Sequence, residues 1–198
     1  MNDIACPGRR RTLWDRMAGN YDRQVERTYQ ETYDRSIQLV REIVTPTAQV
    51  LEMGCGTSII SLAVAPAVTH VTATDFSSDM IAVAENKAIR AEIDNITFRV
   101  ADSQSLPYDD ASFDVVLLFN VLHFVKEPAR MLGEVHRLLK QGGLVSSATD
   151  CYSEPAGLGW RLKLFSIQML HIVGAIPHIW RFTKQDIDLL FEQSGFAI

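Results

Sequence analysis

Residues Val50-Leu51-Glu52-Met53-Gly54-Cys55-Gly56-Thr57-Ser58 form an apolar run, one carboxylate and two glycines one residue apart, directly before a helical stretch. Such a pattern is a strand feeding a tight turn that a ligand can approach. Glycine at 54 and 56 permits φ > 0 and brings the backbone close to a bound group, because no Cβ stands in the way. Glu52 lies at the strand's carboxyl end and faces whatever lies over the turn. Its charge suits a ligand ammonium or sulfonium and repels a pyrophosphate. Two more apolar runs end in acids. Asp75 closes Val68 to Thr74, nineteen residues beyond Gly56 and followed by Phe76 and Met80; an acid there can accept two ribose hydroxyls. Asp102 and Ser103 follow the short run Ile96 to Val100. Singly, each acid reads as a solvated loop residue; three strand ends carrying acids point jointly to a nucleoside-bearing ligand.

Those ends converge only if the strands run parallel. Strands are expected at 49–53, 70–75, 96–100, 113–119, 143–149 and from 196 on, and helices at 22–43, 57–64, 78–91, 128–140 and 184–194. Alternation of this kind gives a parallel sheet covered by helices on both faces, with a ligand crevice where strand order reverses. Internal repeats, low-complexity segments and Gly/Ser linkers are absent from the sequence, so residues 1–198 read as a single domain.

At 198 residues the chain can bury a sizeable core. A net charge of -5 and a pI near 5.5 argue against a nucleic-acid partner, which needs clustered Lys and Arg. Arg9-Arg10-Arg11 is the dense basic run and is expected to be a solvated tail. Cys6, Cys55 and Cys151 make an odd count without C-x-x-C spacing, which suggests neither a disulfide framework nor a metal site and fits a reducing cytoplasm. Met1 to Thr12 lacks the apolar core of a signal peptide. Leu158 to Trp180 is apolar, but Arg161, Lys163, Gln168 and His171 interrupt it and Gly174 and Pro177 end it too early for a transmembrane helix.

Glycine spacing separates two nucleoside cofactors. A dinucleotide fingerprint would carry a third glycine where Ile59 stands, and none comes before Gly133, so an NAD site loses support. Glu52 favours S-adenosyl-L-methionine instead. With Glu52-x-Gly54-x-Gly56 and Asp75 with Met80 go Asp102-Ser103 before Leu106-Pro107, Phe113-Asp114, Asn120-Val121-Leu122-His123, and Leu138-Leu139-Lys140-Gln141-Gly142-Gly143. On these residues nearly the whole chain resembles the class I S-adenosylmethionine-dependent methyltransferases, in particular the small-molecule branch similar to ubiquinone and menaquinone biosynthesis enzymes. Trp14-Asp15 to Ala18 with Tyr21-Asp22 resembles that family's N-terminal entry, where the tyrosine lies over the cofactor. Ser58 departs from a third glycine found in many members, and serine is small enough to be tolerated there.

The resemblance implies an α/β, Rossmann-like, doubly wound, mostly parallel sheet, an N-terminal helix (about 10–43) and a cap insertion (about 152–182). It implies S-adenosylmethionine held by Tyr21, Glu52, Gly54, Cys55, Gly56, Thr57, Asp75, Phe76, Met80, Asp102, Ser103 and Asn120. The family's sheet normally closes with an antiparallel hairpin, whereas this sequence stops at Gly195-Phe196-Ala197-Ile198. The C-terminal antiparallel strand is thus expected to be missing, through truncation or as an edge open to dimerisation.

The implied activity is methyl transfer to a small, hydrophobic acceptor. In-line displacement from a sulfonium needs collinear reactants more than a base. His123, just past the fourth strand, is the candidate base or positioning group, against the alternative of a packed histidine. Asp150, Cys151 and Tyr152 could line the acceptor pocket, and His136 reads as a surface residue. An Asn or Asp followed by two prolines, the signature for nucleic-acid amines, is absent: Val121 and Leu122 follow Asn120. Segment 158–180 is open to three readings, a lid over an apolar acceptor, a buried helix, or an interfacial helix in peripheral contact with a membrane. A catalytically silent cofactor-binding module and an NAD-dependent oxidoreductase remain as alternatives. Acceptor atom and oligomeric state are not legible in the sequence.

Overall fold

The computed structural model describes the backbone of residues 7–153, 157, 166, 169 and 178–198, with side chains from Leu13 onward. Five strands form one parallel sheet: β1 (Gln49–Met53), β2 (His70–Asp75), β3 (Ile96–Val100), β4 (Phe113–Phe119) and β5 (Leu139–Ala148). Their order is β3-β2-β1-β4-β5. The chain adds β2 and β3 on one side of β1, then crosses to the other side for β4 and β5. The reversal falls between β1 and β4, where Val50, Leu51 and Glu52 pair with Val115, Val116 and Leu117. Connections leave such a point in opposite directions, and a crevice opens beyond the strands' carboxyl ends.

Both faces of β1 and β4 are buried, which is why their sequences read as continuous apolar runs. Side chains alternate between faces along a strand. Val50, Val115, Leu117 and Phe119 enter one core with Val25 of α2 (Tyr21–Thr28), Tyr33 and Val40 of α3 (Gln30–Ile43), and Ile60 and Val64 of α4 (Ile59–Val64). Leu51, Met53, Val116 and Leu118 enter the other, with Met131, Leu132, Val135 and Leu138 of α6 (Pro128–Leu138) and Phe191 of α7 (Lys184–Gln193). Alternation places Glu52 on the Val50 face, toward α4. Between β2 and β3 runs α5 (Ser78–Arg90), whose N-cap is Ser77: its hydroxyl accepts from Met80 N–H at 3.2 Å.

Several expectations are corrected. The N-terminal helix expected over about 10–43 is three helices, α1 (Pro7–Ala18), α2 and α3, broken at Tyr29, whose φ of -131° and ψ of 9° leave the helical basin. Arg9-Arg10-Arg11 lies within α1 and is not a tail. Helix α4 starts at Ile59 instead of 57 because Gly56 and Ser58 take φ of +53° and +58°, outside the right-handed helix. The penalty at Ser58 is therefore one of backbone conformation, which small size does not relieve.

Strand β5 begins at Leu139, earlier than the expected 143. Phe113 pairs with Leu139 and Val115 with Leu144, so Lys140 to Gly143 bulge from the ladder, with Gly142 at φ +76°. No strand forms from 196 on. Instead Gly195, at φ +88°, and Phe196 end α7: Gly195 N–H donates to Glu192 O and Phe196 N–H to Phe191 O, and the Phe191 and Phe196 rings pack at 5.7 Å. This is a Schellman helix end with its hydrophobic contact. Most of the region expected as a cap, about 152–182, and of the 158–180 segment lies outside the described residues.

Candidate active site

A cavity of about 550 Å³ opens over the carboxyl ends of β1, β2 and β4. Its floor is the turn after β1. Gly54 and Cys55 N–H both donate to Thr74 O, at 2.8 and 2.9 Å, tying that turn to the end of β2. Gly54 has φ +73°, and a Cβ there would lie 2.6 Å from Val121 Cγ2. Contact with the loop after β4 thus demands glycine at 54. Cys55 and Thr57 also line the cavity. Burial pushes the Cys55 thiol up, so it stays protonated and is no nucleophile.

Two carboxylates meet at this floor. Glu52 is 3% exposed and accepts from both the N–H and the hydroxyl of Ser61. Desolvation outweighs those bonds and pushes its carboxyl up to about 7. Asp75 is also buried; its Oδ2 accepts from Gly56 N–H at 2.9 Å and its Oδ1 from Ser77 N–H at 2.8 Å. Burial holds it above the ordinary carboxylate range despite these donors. Asp75 therefore organises both ligand loops while keeping lone pairs for further donors. Beside it, Phe76 and Met80 line the cavity after β2, and Asp102 and Ser103 after β3.

Helices α1 and α2 form the roof. Tyr21 lies above the glycine turn, its Cε1 3.7 Å from where a Gly56 Cβ would stand. Ser77 Oγ–H donates to Asp15 at 2.5 Å, Thr57 Oγ1–H to Asp22 at 2.5 Å, and Lys87 Nζ pairs with Asp22 at 2.7 Å. On the β4 side the wall is aromatic. Phe119 and Phe124 line it with Trp14, whose ring meets Phe124 edge-on at 5.0 Å and Tyr21 at 6.3 Å. Asn120, at φ +53°, lines the same wall.

The structure thus gathers Tyr21, Glu52, Gly54, Cys55, Gly56, Thr57, Asp75, Phe76, Met80, Asp102, Ser103 and Asn120 around one cavity. It does not bring His123 there. That ring is 3% exposed, packs behind Phe124 at 4.1 Å and against Tyr152 at 5.9 Å, and its Nδ1 has no hydrogen-bond partner among the described residues. Burial pushes it down to about 4, so it is neutral at neutral pH and too weak to act as the expected base. Asp150, Cys151 and Tyr152 are not among the lining residues either; Tyr152 O–H donates to Asp150 at 2.8 Å. His136 is exposed, as expected. Trp14 and Tyr33 line the cavity without having been singled out as cofactor contacts. Trp14 sat within the N-terminal entry motif, whereas Tyr33 carried no local signal.

Fold and cavity define a class, a Rossmann-like domain with a nucleoside-cofactor site at its topological switch point. Residues 51–147 match the family described as "Methyltransferase domain". The chain is 38% identical over 152 residues to a demethylmenaquinone methyltransferase of Staphylococcus epidermidis, covering 75% of this chain and 61% of that one. To the demethylmenaquinone methyltransferase of Clavibacter sepedonicus it is 34% identical over 143 residues, covering 70% and 57%. A solved SAM-dependent methyltransferase of Methanosarcina mazei superposes with a TM-score of 0.64 at 26% identity, covering 81% of this chain and 84% of that one. Residues 51–147 thus match a methyltransferase domain, and the chain resembles the class I S-adenosylmethionine-dependent methyltransferases of menaquinone biosynthesis. It spans between 57% and 61% of the length of these two curated relatives. S-adenosylmethionine is the cofactor this family implies, and the residues present fit it: the Gly54 cradle that a Cβ would fill, a buried carboxylate on the cavity floor, and Asp75 at the end of β2.

Proposed function

We propose that this chain catalyses methyl transfer from S-adenosylmethionine to a small, hydrophobic, quinone-like acceptor. The observation that carries the reading is a division within one cavity. Glu52 and Asp75 occupy the β1 and β2 ends, and Trp14, Phe119 and Phe124 the β4 side. When bound, S-adenosylmethionine supplies an electrophilic methyl group on a sulfonium. Asp75 would accept the ribose hydroxyls, with Phe76 and Met80 beside the nucleoside and Asp102 and Ser103 at the base. Glu52, Gly54, Cys55, Gly56 and Thr57 would line the amino-acid end, under Tyr21. A positive ligand beside Glu52 offsets the cost of burying that carboxylate.

The aromatic half suits a flat apolar acceptor, and the relatives' name, demethylmenaquinone methyltransferase, supports that class. The chain's contribution to rate would be orientation and exclusion of water, for which His123 is not required. Among the described residues no helix is long and apolar enough to cross a membrane. The purified chain, incubated with S-adenosylmethionine and 2-methyl-1,4-naphthohydroquinone as probe, is expected to yield a singly methylated product by mass spectrometry. Tight cofactor binding with no methylated product from this or related hydroquinones would favour a silent binding module.

A further inference from the structure

The phenols of the cavity carry more protons than their neighbours take up. Tyr33 comes from α3 and Tyr21 from α2, their hydroxyl oxygens lie 3.2 Å apart, and both line the cavity with Asn120. Tyr33 is buried, so bulk water does not satisfy it. The Asn120 side-chain amide lies beside the Tyr33 hydroxyl, where it favours the ionised phenol. Each phenol owns one proton, and the Tyr21–Tyr33 bond uses one of the two. If Tyr21 donates, the Tyr33 proton is left over. If Tyr33 donates, the Tyr21 proton is left over. In both arrangements one O–H remains beside the cavity, and burial pushes both phenols up, away from ionisation.

Asn120 adds a second observation. It keeps φ +53°, a region that residues other than glycine seldom enter, and its N–H donates to Ala148 O at 2.8 Å. Asparagine is among the side chains best tolerated there, so the position keeps an amide at the cavity wall at little conformational cost. An O–H flanked by a side-chain amide suits a carbonyl, hydroxyl or oxyanion and opposes an ammonium. The seat adjoins the aromatic wall, because Trp14 bridges Tyr21 to Phe124.

We propose that Tyr33 and Asn120 are positioning residues that seat an oxygen of the acceptor while its ring lies against Trp14 and Phe124. The proposal rests on the methyltransferase reading of this cavity. Tyr33 acts by holding the substrate and takes no part in bond making.

The test is a binding comparison in the purified chain loaded with S-adenosylhomocysteine, using 1-naphthol and 1-methylnaphthalene, which match in size but differ in the oxygen. S-adenosylhomocysteine affinity is measured first on every protein. Wild type is expected to prefer 1-naphthol by about tenfold, and Tyr33→Phe to shrink that preference to about twofold. Asn120→Gly removes the amide at a backbone conformation that glycine accepts, so it too is expected to lose the preference while its melting temperature does not fall. An undiminished preference in Tyr33→Phe overturns the proposal, as does a cofactor-loaded wild type that binds neither probe or binds both equally. A wild type that does not bind S-adenosylhomocysteine refutes the underlying reading, and this shows before any naphthalene is added.

Discussion

Glu52 shows what burial does to one side chain. Its two bonds from Ser61 favour the charge, yet desolvation wins and lifts it from an ordinary 4.5 to about 7. A carboxyl raised on folding binds protons more tightly in the native state. Its contribution is therefore fully present below 4.5 and lost as pH rises through about 7. Without ligand, the wild type should lose on the order of 3 kcal/mol between pH 4.5 and 8 from this group alone. Glu52→Gln should flatten that slope, as read by urea unfolding at several pH values. Equal slopes would mean that Glu52 is ionised throughout. Glu52 and Asp75 were legible in the sequence because each is an acid at the carboxyl end of an apolar strand. The burial of His123 was not, because it comes from Phe124 and Tyr152 closing over the ring. Tyr33 was hidden for a similar reason, since the break at Tyr29 sets the face that α3 presents.

At the scale of elements, β1 to β4 fall on the expected residues because each is an apolar run bounded by loop residues. The start of β5 was misjudged: a helix was expected to reach 140 and the strand to begin at 143, whereas the strand starts at Leu139 and Lys140 to Gly143 bulge from it. Phe196 was misjudged because an apolar residue after glycine looks like a strand start, whereas here it seals a helix end. The turn after β1 gives a sharper test. Gly54→Ala adds a methyl 2.6 Å from Val121 Cγ2 at a φ of +73°. It is expected to cost about 1–3 kcal/mol and to abolish cofactor binding. Adding Val121→Ala should recover part of the stability by removing the clash, but not the cost of the backbone conformation. Thermal melts of the two variants check this, and wild-type stability in Gly54→Ala alone would mean that the turn takes another conformation.

Across the molecule, one arrangement joins segments remote in sequence. Asp15 reaches Ser77 and Asp22 reaches Thr57 and Lys87, so α1 and α2 are fastened to both loops that frame the cavity. No periodicity announces contacts between residues 62 and 35 positions apart. The alternation of strands and helices did announce the parallel sheet and a crevice where strand order reverses, whereas the strand order that puts the reversal between β1 and β4 is seen only in the fold.

The central claim is that this crevice is an S-adenosylmethionine site. Its most direct test is calorimetric titration of S-adenosylmethionine and of NAD into wild type and Asp75→Ala, with circular dichroism confirming that the variant folds, since Asp75 also accepts from Gly56 and Ser77 N–H. Wild type should bind S-adenosylmethionine and not NAD. The variant should bind roughly 10- to 150-fold more weakly, from the loss of charge-assisted bonds to the ribose. Preference for NAD, or unchanged S-adenosylmethionine affinity in a folded Asp75→Ala, would contradict the assignment.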